Sequence, residues 1–106
     1  MATLADFQAI DLRVATVTAA ELHPNADRLL VLRIELGSEQ RQIVAGIRAS
    51  YEPQALVGKQ IIVVANLEPA KLRGVESQGM LLAARDGDRV VIMAPDAGVP
   101  PGSKVS

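Results

Sequence analysis

The sequence contains no cysteine and no tryptophan, one histidine, one tyrosine and one phenylalanine. The lack of cysteine excludes a disulfide framework and a thiolate zinc site, and it suits a reducing cytosol. His23 stands alone, so neither a histidine metal site nor a Ser–His–Asp relay can be assembled, and no metal is expected. Aromatic residues make up only 2% of the chain, as Phe7 and Tyr51. Proteins that grip single strands stack bases on several rings, and sugar-binding sites use similar platforms; this chain cannot do either widely. Charge of one sign is also missing: the formal net charge is −1. A binder of nucleic acid usually carries a basic excess, so any basic surface here has to be local, with the acids segregated elsewhere. No apolar run approaches the length of a membrane span. The opening "MATLADFQAI" has no basic or apolar leader segment, so no signal peptide and no membrane partner are expected. No glycine-rich phosphate loop is present, and no cofactor is expected.

Hydrophobic residues make up 49% of the 106 positions, which suits one globular domain spanning residues 1–106. "DLRVATVTAAEL" reads as a first strand. "HPNADR" is a turn cluster, with His23 as a turn residue. "RLLVLRIELG" alternates, with Leu30, Leu32, Ile34 and Leu36 on one face and Arg33 and Glu35 on the other, as a half-buried strand does. "GSEQ" turns the chain into a third strand, "RQIVAGI". In "SYEPQALVG", Pro53 suits a first helical turn and Gly58 a helix stop, so one or two turns of helix are predicted. "KQIIVVANL" is the strongest strand. "EPAKLRGVE" reads as a loop, "SQGMLLAAR" as a fifth strand, "DGD" as a hairpin turn with Asp86 and Asp88 in the turn, and "RVVIMAP" as a sixth strand. A short strand is expected at residues 103–105. The predicted class is all-β. Three strands, a short helix and two strands is the order of the OB-fold, a five-stranded Greek-key barrel, here with a C-terminal strand and hairpin extension. An SH3-like barrel is the structural rival.

Candidate functional residues gather in "NLEPAKLRGVESQGMLLAA", residues 66 to 84. A polar, glycine-punctuated segment set directly against a buried strand is more than a connection requires. Lys71 and Arg73 bracket it with positive charge. Asn66 can donate and accept, Gly74 and Gly79 permit close backbone approach, Ser77 offers a hydroxyl, and Met80 an adaptable apolar contact. Together they can form a pocket for an unstacked base or a ribose. They can equally form a packing loop, with Asn66 capping a strand end and Met80 in the core. Arg33 on the second strand and Arg41 at the start of the third can share a side of an OB barrel with this loop, within reach of a phosphate backbone. They can also be solvated charges paired with nearby glutamates.

The same segment closely resembles the signature of the tRNA-binding domain family of the EMAP-II type. "DLRVATVTAAELHPNADRLLVLRIELG", "RQIVAGIRASYEPQALVGKQIIVVANL" and "PDAGVPPGSKV" are similar to that family too, from about Asp6 to the C-terminus. The family includes stand-alone bacterial tRNA-binding proteins, C-terminal domains of methionyl-tRNA synthetases, part of the phenylalanyl-tRNA synthetase β chain, and the CsaA proteins linked to export chaperoning. The resemblance implies an OB-fold, a cytoplasmic setting and no catalysis. It implies recognition of tRNA by shape at the corner of the L, with little sequence choice, and a homodimer serving or joined to a synthetase. Carried over residue by residue, the binding role falls on Asn66, Lys71, Arg73, Ser77, Gly79 and Met80, and less firmly on Arg33 and Arg41. "RVVIMAP" and the tail are the expected dimer surface, unless they close the barrel. A CsaA-like chaperone binding unfolded polypeptide is the alternative, and it requires an exposed apolar groove.

Overall fold

The alternating strand β1 (Leu12–Leu22) organises the molecule. The structure, a computed structural model, describes residues 1–106. The first half of β1 pairs antiparallel with β4 (Gln60–Val64), from Leu12↔Val64 to Thr16↔Gln60. Its second half pairs with β2 (Leu30–Leu36), and the register shifts between Val17 and Ala19. That bulge bends β1 and passes it from one half of the sheet to the other. β2 pairs along its whole length with β3 (Glu39–Ala45), across a turn at Gly37. A short strand β7 (Met80–Leu81) adds to β4, so the order is β3-β2-β1-β4-β7.

That order is the OB-type Greek-key path, curled into a half-barrel. The closing seam is made differently from a ladder. Between β3 and the segment before β7, Gln78 N–H donates to the Gln42 carbonyl at 2.8 Å, and side chains complete the join. The core is lined by Leu30, Leu32, Ile34, Ile43, Ile61 and Val63. Each such side chain contributes about 1.5–3 kcal/mol when taken out of water. Helix α2 (Pro53–Leu56), a single turn begun by Pro53, adds the fully buried Leu56. The continuous apolar run of β4 is buried on both faces: Ile61 and Val63 face the core, while Ile62 and Val64 are also covered.

The structure adds one element that the sequence did not announce and corrects two expectations. A five-residue helix α1 (Leu4–Gln8) precedes β1, started by a capping box in which Thr3 and Asp6 bond each other's backbone N–H. The segment read as a loop before the fifth strand is a hairpin, β5 (Ala70–Leu72) paired with β6 (Val75–Ser77). The fifth strand itself is broken. Ser77 ends β6, β7 spans two residues, and β8 (Ala83–Asp86) leaves to pair with β9 (Arg89–Ile92). Gly79, at φ 123°, makes the first break. The Asp86–Arg89 hairpin turn is where "DGD" places it. Along β9, Val90 and Ile92 pack on the core, while Val91 and, just past the strand, Met93 are exposed. The tail strand β10 (Lys104–Val105) pairs with the start of β1.

Candidate nucleic-acid interface

The β5–β6 hairpin is built on a two-residue turn, Arg73-Gly74, with φ of 54° and 90°. Positive φ at both positions is a type I′ turn, whose twist matches the strands it joins. Glycine adopts this without cost. Arg73 does not, and it is the only non-glycine residue in the chain at positive φ. The turn lifts Arg73 to the hairpin tip, exposed to solvent, with Lys71 exposed on β5 opposite Glu76.

The hairpin is held against the turn that joins β1 to β2. His23, only 4% exposed, lies between them. Its Nδ1 accepts from Asn25 N–H at 2.9 Å, so Nε2 carries the proton and donates to the Leu72 carbonyl at 2.9 Å. Arg73 Nη2 donates to the Asn25 carbonyl at 3.3 Å. The expectation of a turn residue at His23 is met in place but missed this second bond, which the His-Pro-Asn spelling alone does not reveal. Sequence reasoning also passed over Gln42. Its amide donates to the Glu76 carbonyl at 2.9 Å, and it stands directly opposite Arg33 on β2. A polar row therefore crosses four strands, Arg33, Gln42, Glu76 and Lys71. Arg33 and Lys71 are exposed, and neither they nor Arg73 joins any of the ion pairs, which are Arg13–Asp11, Arg41–Glu39 and Arg89–Asp86.

The other residues of the signature lie below this surface. Ser77 is 4% exposed. Its Oγ accepts from Val44 N–H at 2.9 Å and donates to the Gly79 carbonyl at 2.9 Å, which joins β6 to β3. Gly79 is buried, and a Cβ there would lie 2.7 Å from the Val64 carbonyl oxygen. Asn66 is exposed, and its amide is engaged at both ends, accepting from Asp11 N–H and donating to the Ala9 carbonyl, each at 2.8 Å. Arg41 is half-buried, forked onto Glu39 and bonded to the Ala65 carbonyl. Met80 is 47% exposed and lies outside the core. It edges an apolar groove of about 310 Å³ with Val44, Ile47, Leu81 and Leu82. Arg33, Lys71, Arg73 and Met80 thus form the accessible set, while Asn66, Ser77 and Gly79 fix the backbone that presents it. Beside Asn66, the hydrogen bond from Arg13 holds the Asp11 carboxyl below the usual carboxylate range, and Asp11 in turn raises Arg13.

The half-barrel thus presents three solvent-facing cations, Arg33, Lys71 and Arg73, around a hairpin braced by His23 and Ser77. The chain matches the tRNA binding domain family model over residues 12–104 and belongs to that family, which is a binding domain rather than a catalytic one. It is 58% identical over 104 residues to the methionine–tRNA ligase of Thermotoga maritima, covering 98% of this chain and 16% of that enzyme. The chain therefore spans less than a fifth of that relative. Among solved structures, a MetRS-related protein from Pyrococcus horikoshii superposes with a TM-score of 0.93 at 36% identity, over 100% of this chain and 98% of that one. The chaperone CsaA from Bacillus anthracis also superposes with a TM-score of 0.93, at 35% identity, over 100% and 99%. No helix is long and apolar enough to cross a membrane.

Proposed function

We propose that residues 1–106 act as one non-catalytic module that binds folded tRNA through its backbone and shape, with little choice of sequence. In this reading the module works in the cytoplasm as a homodimer, as an appendage or partner of methionyl-tRNA synthetase. The observation that carries the proposal is the set of cations without carboxylate partners, Arg33, Lys71 and Arg73, set around a hairpin that His23 and Ser77 hold in place. Shape-reading of folded RNA relies on phosphate and 2′-hydroxyl contacts rather than ring stacking, which fits a chain with two aromatic residues. The homodimer rests on the exposed apolar residues Leu4, Phe7, Val91 and Met93 and on the family resemblance.

The test is a titration with a mixed tRNA pool at two salt concentrations, with linear single-stranded RNA and duplex DNA as competitors. Salt-sensitive binding to folded tRNA, resisted by both competitors, supports the proposal. Absence of binding to any nucleic acid overturns it. The groove beside Met80 and the likeness to a CsaA chaperone favour polypeptide binding as the second reading, and an unfolded polypeptide in the same titration separates the two.

A further inference from the structure

Beyond the signature segment, the surface carries a second cavity, of about 460 Å³, where the β1–β2 turn meets the β8–β9 hairpin. Arg28 and Arg85 line it, together with Gly46, Ser50, Asp88 and Val90. Both arginines are exposed, and neither takes part in an ion pair, so their donors are free although the Asp88 carboxylate shares the cavity. The walls are fixed. Ser50 Oγ accepts from Val90 N–H at 3.0 Å, Tyr51 Oη accepts from Ile92 N–H at 3.0 Å, and Arg48 N–H donates to the Arg28 carbonyl at 3.4 Å. The cavity adjoins the apolar groove beside Met80, because Gly46, Arg85 and Val90 line both. Arg28 belongs to the same β1–β2 turn as His23 and Asn25, which bond Leu72 and Arg73 of the basic hairpin.

We infer that this joined cavity and groove is a nucleotide subsite, in which Arg28 and Arg85 hold RNA backbone phosphate and the aliphatic groove beside Met80 receives the attached base. The inference rests on the tRNA-binding reading and extends it along the strand leaving the hairpin. Two guanidinium groups without carboxylate partners suit phosphate, which a guanidinium can grip through paired N–H donors. The groove walled by Val44, Ile47, Met80 and Leu82 offers aliphatic side chains to the face of a base, and Arg85, which lines groove and cavity alike, is its one charged side chain. A chain short of aromatic rings thereby gains an aliphatic seat in place of a stacking platform.

The full chain is titrated with a mixed tRNA pool across a salt series, as wild type, Arg28→Ala, Arg85→Ala, the double variant, Lys71→Ala, and Arg89→Ala as a control from the same hairpin whose charge is paired with Asp86. Each cavity arginine is expected to lower the salt slope by about one unit and affinity on the order of tenfold, and the double variant to lower the slope by about two. Arg89→Ala is expected to match wild type, and circular dichroism melting to show every variant folded. If Lys71→Ala lowers the slope while both cavity variants match wild type, the subsite is overturned and the tRNA-binding reading stands. An equal loss in Arg89→Ala overturns it as well, since the effect is then general charge. If wild type binds no tRNA, the function itself fails and the subsite with it. If the cavity variants weaken capture of reduced, carboxymethylated α-lactalbumin but not of tRNA, the groove is a polypeptide site and the inference is overturned.

Discussion

Ser77 and Gly79 show why the polar segment carries so many special residues. Val44 N–H lies on the seam where the half-barrel closes, and Ser77 Oγ is its acceptor. Ser77→Ala leaves that buried donor unpaired, at a cost of ~1–3 kcal/mol. Denaturant unfolding measures the loss, and unchanged stability would show that the seam closes without it. Gly79→Ala is expected to be at least as harmful, because φ is 123° and the new methyl group meets a backbone oxygen at 2.7 Å, with strain of ~1–3 kcal/mol. From the sequence, Ser77 and Gly79 were readable as special but not as buried; a hydroxyl offered to a ligand and a hydroxyl closing a seam are spelled alike. Asn66 poses the same ambiguity, and its bonds to Ala9 and Asp11 depend on an N-terminal helix that nothing in the hydrophobic pattern announced. Beside it, Asp11 gives a pH signature. Its folded carboxyl titrates below the ordinary value, so its contribution is present above about pH 4 and is lost as pH falls through the lower folded value. Arg13→Ala removes the hydrogen bond that lowers it. A carboxyl-carbon NMR titration should then show the Asp11 midpoint moving upward toward the ordinary range, and an unmoved midpoint would leave the shift without its cause.

At the scale of elements, the long strands were legible because one period governs them: Leu30, Leu32, Ile34 and Leu36 alternate without interruption. The β5–β6 hairpin was not, because three-residue strands give no period and its turn is Arg-Gly rather than the usual Asn-Gly. That choice of arginine costs conformational energy that asparagine would lessen. Arg73→Asn is therefore expected to hold or raise stability, by up to ~1 kcal/mol, while lowering tRNA affinity and the salt slope. Thermal melting and a tRNA titration on the same samples check both halves, and a variant that loses stability while keeping its affinity would refute the trade. His23→Ala acts on the same element from below. Without the Nε2–H bond to Leu72, hydrogen exchange should quicken across residues 70–77 while β2 and β3 keep their protection. Uniform loss of protection would instead make His23 a core residue.

For the whole molecule the problem is charge. Twelve acids outweigh eleven cations, yet the face around the hairpin presents Arg33, Lys71 and Arg73 unpaired. The balance is met in part by segregation: Glu21 and Glu52 line a separate cavity beside Leu22 and Pro53, Arg13, Arg41 and Arg89 are the cations that do pair, and Glu76 stands opposite Lys71 within the face. A face of this size offers few phosphate contacts, and the slope of affinity against salt counts them. Two such faces in a homodimer would double the count on a single tRNA and raise affinity through effective concentration, without any new contact within the subunit. Sedimentation at micromolar concentration is accordingly expected to report a dimer. Diluting the protein until the dimer dissociates should reduce the salt slope for tRNA by about half. A monomer at all concentrations, with an unchanged slope, would mean that one face suffices, and the phosphate contacts would then have to come from additional arginines on the same subunit, of which Arg28 and Arg85 are the first to examine.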